Sequence, residues 1–325
     1  MSSPETTGLI DVSTSVDDAI GDGLAAAASA GVRVRGLHEL ADLDAVYRLY
    51  DSIWRPDPMN PPITTELLRA LTKAGNYVSG AFDGDELIGA CVGFFSAPTE
   101  RAMHSHVAGV SGVARGRSVG FALKLHQRAW ALQRGVESIS WTFDPLIRRN
   151  AYFNVTKLAA RPTEYLTNFY GFMQDGINGG DDSDRLLVRW QLDAPEVGAA
   201  AARRPAVTTV DRLPGATVAL GFADDGGPST STAWGAGDGT VLVGVPADVE
   251  KLRQTDPGVA KSWRAALREV LGGLLADGAR VTGFDRAGWY VLEQPGPEES
   301  GLDQTALERS VLERSVLDDA EKGLA

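Results

Sequence analysis

The chain is poor in the residues that staple, span or cage. One cysteine, Cys91, stands among 325 residues, which excludes an internal disulfide and a thiolate metal cage. It lies in the apolar run LIGACVGFF, the setting of a small buried core residue. No apolar run approaches the roughly 20 residues that a membrane helix needs. The N-terminus lacks a basic segment followed by an apolar one, so no signal peptide is read there. Metal-ligand spacing is missing, and so is a Ser/His/Asp nucleophile motif. A cytoplasmic protein with no membrane and no metal is the expectation.

Basic residues are also scarce: 31 Lys and Arg face 43 Asp and Glu, for a net charge of −12. The imbalance sits at the ends. Residues 1–30 carry five acids and no Lys or Arg, and residues 296–325 carry eight acids against three bases. Removing the −5 of each end leaves −2 for residues 31–295. No basic stripe marks a nucleic-acid footprint.

What is present is an ordinary globular composition, 43% hydrophobic and 23% charged, with length for about two domains. Residues 1–30, with the alanine run GLAAAASAG, read as a mobile acidic arm in which the alanines could form a frayed helix. A folded domain is expected over 31–193, then a linker at 194–206 and a C-terminal α/β unit at 207–295. An acidic tail at 296–325 repeats ERSVL at 308–312 and 313–317. In the first domain, Leu40, Leu43, Val46, Leu49, Tyr50 and Ile53 make a helical stripe that ends before Pro56. RPDPMNPP follows as a stiff extended loop, and Thr64 or Thr65 caps a second helix. Strands are predicted at Tyr77–Phe82 and Leu87–Ser96 about a DGD turn, at Ser138–Phe143, at Thr163–Leu166 and at Leu186–Leu192. A helix is predicted over Arg149–Ala159. The second unit reads as strands at Ala216–Phe222 and Val241–Val245, a helix over Val259–Ala276 capped by Thr255 or Asp256, and strands at Arg280–Phe284 and Trp289–Leu292. It echoes the strand–helix–strand order of the first and is read as a degenerate half-copy or an unrelated α/β unit.

The stretch His104–Gly135 organises the first domain. His104–Val110 alternates as a half-buried strand, Ser111–Val119 is a glycine and arginine loop, and a helix opens at Gly120. The first N–H groups of such a helix have no internal partners and make an anion site. Arg115 and Arg117 would add charge-assisted bonds to phosphate oxygens.

The residues Arg115, Gly116, Arg117, Ser118, Val119 and Gly120 resemble the acyl-CoA pyrophosphate loop of the GNAT acyltransferase superfamily, R/Q-x-x-G-x-G/A, with Ser118 in place of the middle glycine. The resemblance covers about residues 32–193. WTFDPLIRRNAYFNVTKLAARPTEYLTNFYG and DGINGGDDSDRLLVRW are similar to one bacterial branch of that superfamily, some members of which are associated with N-acylation of amino acids. It implies a mixed central sheet flanked by helices and acyl-CoA as co-substrate, with no tightly bound cofactor. Val110, the loop from Arg115 to Gly120, and Asn154 would then hold the CoA. The implied activity is transfer of an acetyl, succinyl or similar acyl group to a small-molecule amine, such as an amino acid. A non-catalytic acyl-CoA-binding or assembly module and a thioester-processing enzyme stay open beside it, as does a homodimer.

His104 and His106, two apart on a strand, face one side. With an ordinary pKa near 6.5, either suits a general base, and His106 is preferred for its nearness to the loop. Asp144 is a candidate for orienting the amine. Arg148 and Arg149 could hold a carboxylate, and Asn168 and Tyr170, with Asp175 and Asn178, belong to a polar loop that could close over substrate. Matching KLAA to the family's K-L-G-F puts Val155 where many members place a tyrosine acid, with Tyr152 and Asn154 as neighbours.

Overall fold

The computed structural model describes residues 12–56, 61–171, 181–231 and 239–295. The acidic tail with its repeat, the middle of the proline-rich loop, Asp175 and Asn178 lie outside the described residues. The fold is α/β, with two sheets flanked by helices. One unit is built from Met1–Pro145, Arg149–Pro162 and Thr167–Ala206, the other from Leu146–Arg148, Thr163–Leu166 and Val207–Ala325.

In chain order the elements of the first sheet and its helices are α1 (Val12–Ala30), β1 (Arg33–Gly36), α2 (Leu40–Trp54), α3 (Thr65–Lys73), β2 (Tyr77–Asp83), β3 (Glu86–Phe95) and β4 (Ala102–Val110). Then come α4 (Val119–Leu132), β5 (Ser138–Phe143), α5 (Arg148–Ala151), β6 (Arg161–Leu166), β7 (Arg185–Gln191) and α6 (Pro195–Ala201). The sheet order is β1-β2-β3-β4-β5-β7-β6. β4 and β5 run parallel, while β1–β2, β2–β3, β3–β4 and β5–β7 are antiparallel. The stripe of α2 packs with Ile63, Leu68, Val78, Phe82, Ala90 and Val92 in one apolar cluster. Thr64 caps α3 by accepting from Leu67 N at 3.2 Å.

Three expectations are corrected. Residues 12–30 of the supposed mobile arm form helix α1, which packs on α4. Its small residues are the reason: Ala19, Ala26, Ala27 and Ala30 are buried, and a Cβ at Gly23 would lie 3.5 Å from the Leu125 carbonyl oxygen. Asp22 adds an ion pair to Arg128 at 3.3 Å. The expected linker contains α6, with Pro195 opening it and Val197, Ala200 and Ala201 buried. The helix expected over Arg149–Ala159 is α-helical only at Arg148–Ala151. It widens into a π-turn at Tyr152–Lys157 and ends at a left-handed Ala159 (φ 54).

The second sheet has the order β11-β12-β10-β8-β9, from β8 (Thr217–Phe222), β9 (Pro228–Thr230), β10 (Thr240–Gly244), β11 (Arg280–Asp285) and β12 (Trp289–Glu293). Helices α7 (Val249–Thr255) and α8 (Pro257–Ala276) join β10 to β11. Asp256 is the α8 cap, accepting from Val259 N at 3.0 Å, with Pro257 next. Trp263, Leu267, Leu271, Phe284 and Tyr290 make its core.

Candidate functional site

The site begins where β4 and β5 part. They pair only at Ala102↔Ser138, Met103↔Ile139 and His104↔Ser140. Beyond that, β4 continues with β3 as far as Gly89↔Val110, and β5 continues with β7 as far as Phe143↔Leu186. From Ser105 to Val110 the edge of β4 that faces β5 therefore has no partner strand among the described residues. A fork opens in the middle of the sheet.

At the end of that free edge the chain turns into the Gly/Arg loop. Gly112–Ala114 form one 3-10 turn, Gly116 (φ 81) and Ser118 (φ 63) are left-handed, and α4 starts at Val119. Alternation of left-handed residues with ordinary ones points successive N–H groups the same way, which is an anion nest. Arg115 N and Arg117 N are taken by the Gly112 and Ala114 carbonyls at 3.3 Å each. The N–H groups of Gly116, Ser118, Val119 and Gly120 have no backbone acceptor among the described residues. Ser118 is left-handed, a conformation that only glycine adopts without strain. A Cβ at Gly116 would meet nothing within 4 Å, so the nest is open on that side.

Of the two arginines only Arg115 is where an anion would meet it, exposed beside the nest. Arg117 is spent elsewhere. Its guanidinium pairs with Asp83 at 2.5 Å and donates to the Ala30 and Gly31 carbonyls at 3.3 and 3.1 Å, tying α4 to the end of α1 and to the β2–β3 turn.

The histidines flank the fork's apex. The β3–β4 register jumps from Val92↔Val107 to Gly93↔Ser105, so His106 is the extra residue of a bulge. Both rings gather about Phe94, with centroids at 5.3 Å (His104) and 5.9 Å (His106). Burial depresses the His104 pKa to about 4, and the neighbouring His106 and Lys124 push the same way. Burial also lowers His106, partly offset by its hydrogen bond to the Pro62 backbone.

Several sequence-predicted residues are committed to the fold. Asp144 is 5% exposed, inside the structure rather than at its surface. Asn154, 4% exposed, accepts from Trp141 Nε1 at 3.1 Å, so its amide positions a tryptophan rather than reaching the loop. Arg148 donates to the Val245 carbonyl at 2.8 Å, and a Cβ on Gly288 would strike its guanidinium. Asn168 accepts from Ser183 N at 3.2 Å, and its own N–H is held by Asp184 at 2.9 Å. Arg149 stays exposed on α5. Tyr170 bonds through its hydroxyl to Thr142 on β5 at 3.0 Å. By strand alternation Thr142 shares a face with Ser140 and hence with His104, so Tyr170 stands on the histidine side. Val155 is buried and apolar where the resemblance implied a tyrosine.

The opposite side of the fork holds a group that periodicity did not single out. Lys124 of α4 is 4% exposed. Its amine donates to Ser105 Oγ and Gln127 Oε1, both at 3.0 Å, and lies 3.6 Å from the Trp141 ring centroid. Burial lowers its pKa to about 8. The available signal was the sequence FALKLHQRAW, which puts Lys124, Gln127 and Arg128 at helical spacing among apolar residues.

No protein-family model matches this chain, and no curated protein matches it. Solved structures similar to about half of it include acetyltransferases. A putative acetyltransferase of the GNAT family from Desulfovibrio desulfuricans is 15% identical, covering 50% of this chain and 99% of its own, with a TM-score of 0.41. The ribosomal-protein-S18-alanine N-acetyltransferase from Escherichia coli is 12% identical, covering 50% and 94%, at 0.39. A putative acetyltransferase from Salmonella typhimurium, solved with acetyl-CoA, is 16% identical, covering 50% and 94%, at 0.41.

Proposed function

We propose that the first unit is an acyl-CoA-dependent N-acyltransferase acting on a small amine, an amino acid being the expected kind. The observation that carries this is the continuity of nest, free strand edge and fork. The four N–H groups at Gly116–Gly120, with Arg115, suit a pyrophosphate. From Val110 back to Ser105 the unpaired edge of β4 offers roughly 17 Å of backbone donors and acceptors at about 3.4 Å per residue. A pantetheine arm carries two amides and can lie along it as an added strand would. Its thioester then falls at the apex, between His104–Ser105 and Ser140–Trp141.

At the apex His106 is the general base. Its imidazole takes the proton released as the amine attacks the thioester carbon. His104, with a pKa near 4, holds a proton poorly at neutral pH and shapes the pocket instead. Tyr170 lines the same face. Asp144, Asn154, Arg148 and Asn168 serve the fold.

A matrix of acyl-CoAs against amino acids, read by thiol release and product mass, tests this. Thiol release that requires the amine supports transfer. Release without any amine identifies thioester hydrolysis, and binding without release identifies a non-catalytic module.

A further inference from the structure

We propose that Lys124 is the acid that protonates the departing CoA thiolate, from the sheet face opposite His106. This rests on the acyltransferase reading above. Ser105 and Trp141 are the first residues of β4 and β5 beyond their last pair, and the Lys124 amine lies against both. It therefore sits at the fork's apex, where the strand-edge argument places the thioester.

Two of its three N–H groups are bonded, to Ser105 and Gln127. The third has no hydrogen-bond acceptor among the described residues. Among the described residues no carboxylate faces the amine: the titratable groups about it are Cys91 on β3 and His104 on β4, while Ser105, Gln127, Trp141 and Trp190 are neutral. A buried cation without a counter-ion is costly to a fold, and a forming thiolate would supply that counter-ion. With a pKa of about 8, the amine is mostly protonated at neutral pH and releases its proton readily. Trp141 is held in place by Asn154, and Trp190 by the Leu158 carbonyl at 2.8 Å, so the ammonium's aromatic bed is rigid. Val155 supplies no proton.

The step balances. The neutral amine's lone pair forms the C–N bond, and the C–S bond breaks with its electron pair going to sulfur. The proton of the attacking nitrogen passes to His106, and a proton of Lys124 passes to sulfur. The products are the amide, free CoA thiol, His106 protonated and Lys124 neutral. Solvent then takes the proton from His106 and returns one to Lys124.

The test compares the wild type with Lys124→Met, using the acyl-CoA and amine pair that turns over best in the matrix above and an aryl thioester of the same acyl group. Methionine fills the same volume without a charge, so the variant should fold with an unchanged or higher melting temperature. Turnover with acyl-CoA should fall at least a hundredfold, while turnover with the aryl thioester, whose thiolate leaves without a proton, should change less than about threefold, a limit well below one acid-catalysis factor. The wild-type rate should also decline as pH rises through about 8, and that decline should vanish in the variant. Equal losses with both donors, or a wild-type rate that stays level from pH 7 to 9.5, would overturn the assignment. A wild type that releases no thiol with any amine would overturn the acyltransferase reading and this inference together. An active wild type with an indifferent Lys124→Met would overturn only this one.

Discussion

Four strands of each unit, β4-β5-β7-β6 and β8-β10-β12-β11, follow one order, and the units differ in what fills the space beside their parallel pair. In the first, β4 lies parallel to β5, and the sheet continues through β7 to β6. In the second, β8 lies parallel to β10, and the sheet continues through β12 to β11. Each crosses by helix from the second strand of the pair to an edge strand, then returns to the middle. The parallel pair of the first unit is joined by the nest and α4, and the strands open over histidines and a lysine. That of the second is joined through β9 and Gly226, whose carbonyl accepts from the Trp263 indole at 3.0 Å. There a Cβ at Gly244 would lie 3.2 Å from both the Phe222 and Trp289 rings. Aromatic side chains close the second pair where polar ones line the first. Strand order thus carries no chemistry by itself; the site does.

The largest effect should come from removing the proposed base. His106→Gln should lower turnover a hundred- to ten-thousandfold with acyl-CoA affinity held, and His104→Gln far less. Because burial lowers the His106 pKa, the wild-type rate should rise with pH through a value below 6.5, as the imidazolium loses its proton. A rise centred above 6.5 would point to a different base.

Next is the helix that covers α4 in the first unit. Arg128 and Asp22 have side-chain exposures of 5% and 22%, and burial shifts Arg128 down and Asp22 up despite their pairing. Asp22→Ala should leave a buried cation behind and cost roughly 3 kcal/mol in chemical denaturation, the low end for a buried pair. A cost near zero would mean α1 does little for the unit. Arg117→Ala should act on stability as well, by about 1 kcal/mol, with CoA affinity nearly unchanged; a large loss of affinity would restore it to the phosphate site. Smallest is Ser118→Gly, which relieves left-handed strain of roughly 1 kcal/mol, partly cancelled by a looser unfolded chain. A melting temperature slightly raised, with CoA affinity equal or better, is the expected result.

Much of this was legible in the sequence. The strand, glycine and arginine loop and helix at His104–Gly135 could be read from local pattern, as could the caps at Thr64 and Asp256, because their causes lie within a few residues. Three features depend on contacts between distant segments. The alanines of α1 look like a flexible composition until α4 is there to be packed closely. Arg117 looks like a phosphate ligand until Asp83 and the end of α1 claim it. Lys124 reads as one polar residue in a helix, since nothing local says that α4 is covered on more than one side. The bulge at His106 follows from pairing with β3, which no single-strand pattern shows.

CoA is expected to bind once per chain, at the Gly116–Gly120 nest. Calorimetric titration of CoA into the full chain tests it most directly, beside Arg115→Glu, which reverses the charge of the exposed arginine next to the nest. The expected result is one site per chain in the wild type and at least tenfold weaker binding in the folded variant, about one charge-assisted bond. Two sites per chain, or equal affinity in the variant, would contradict it.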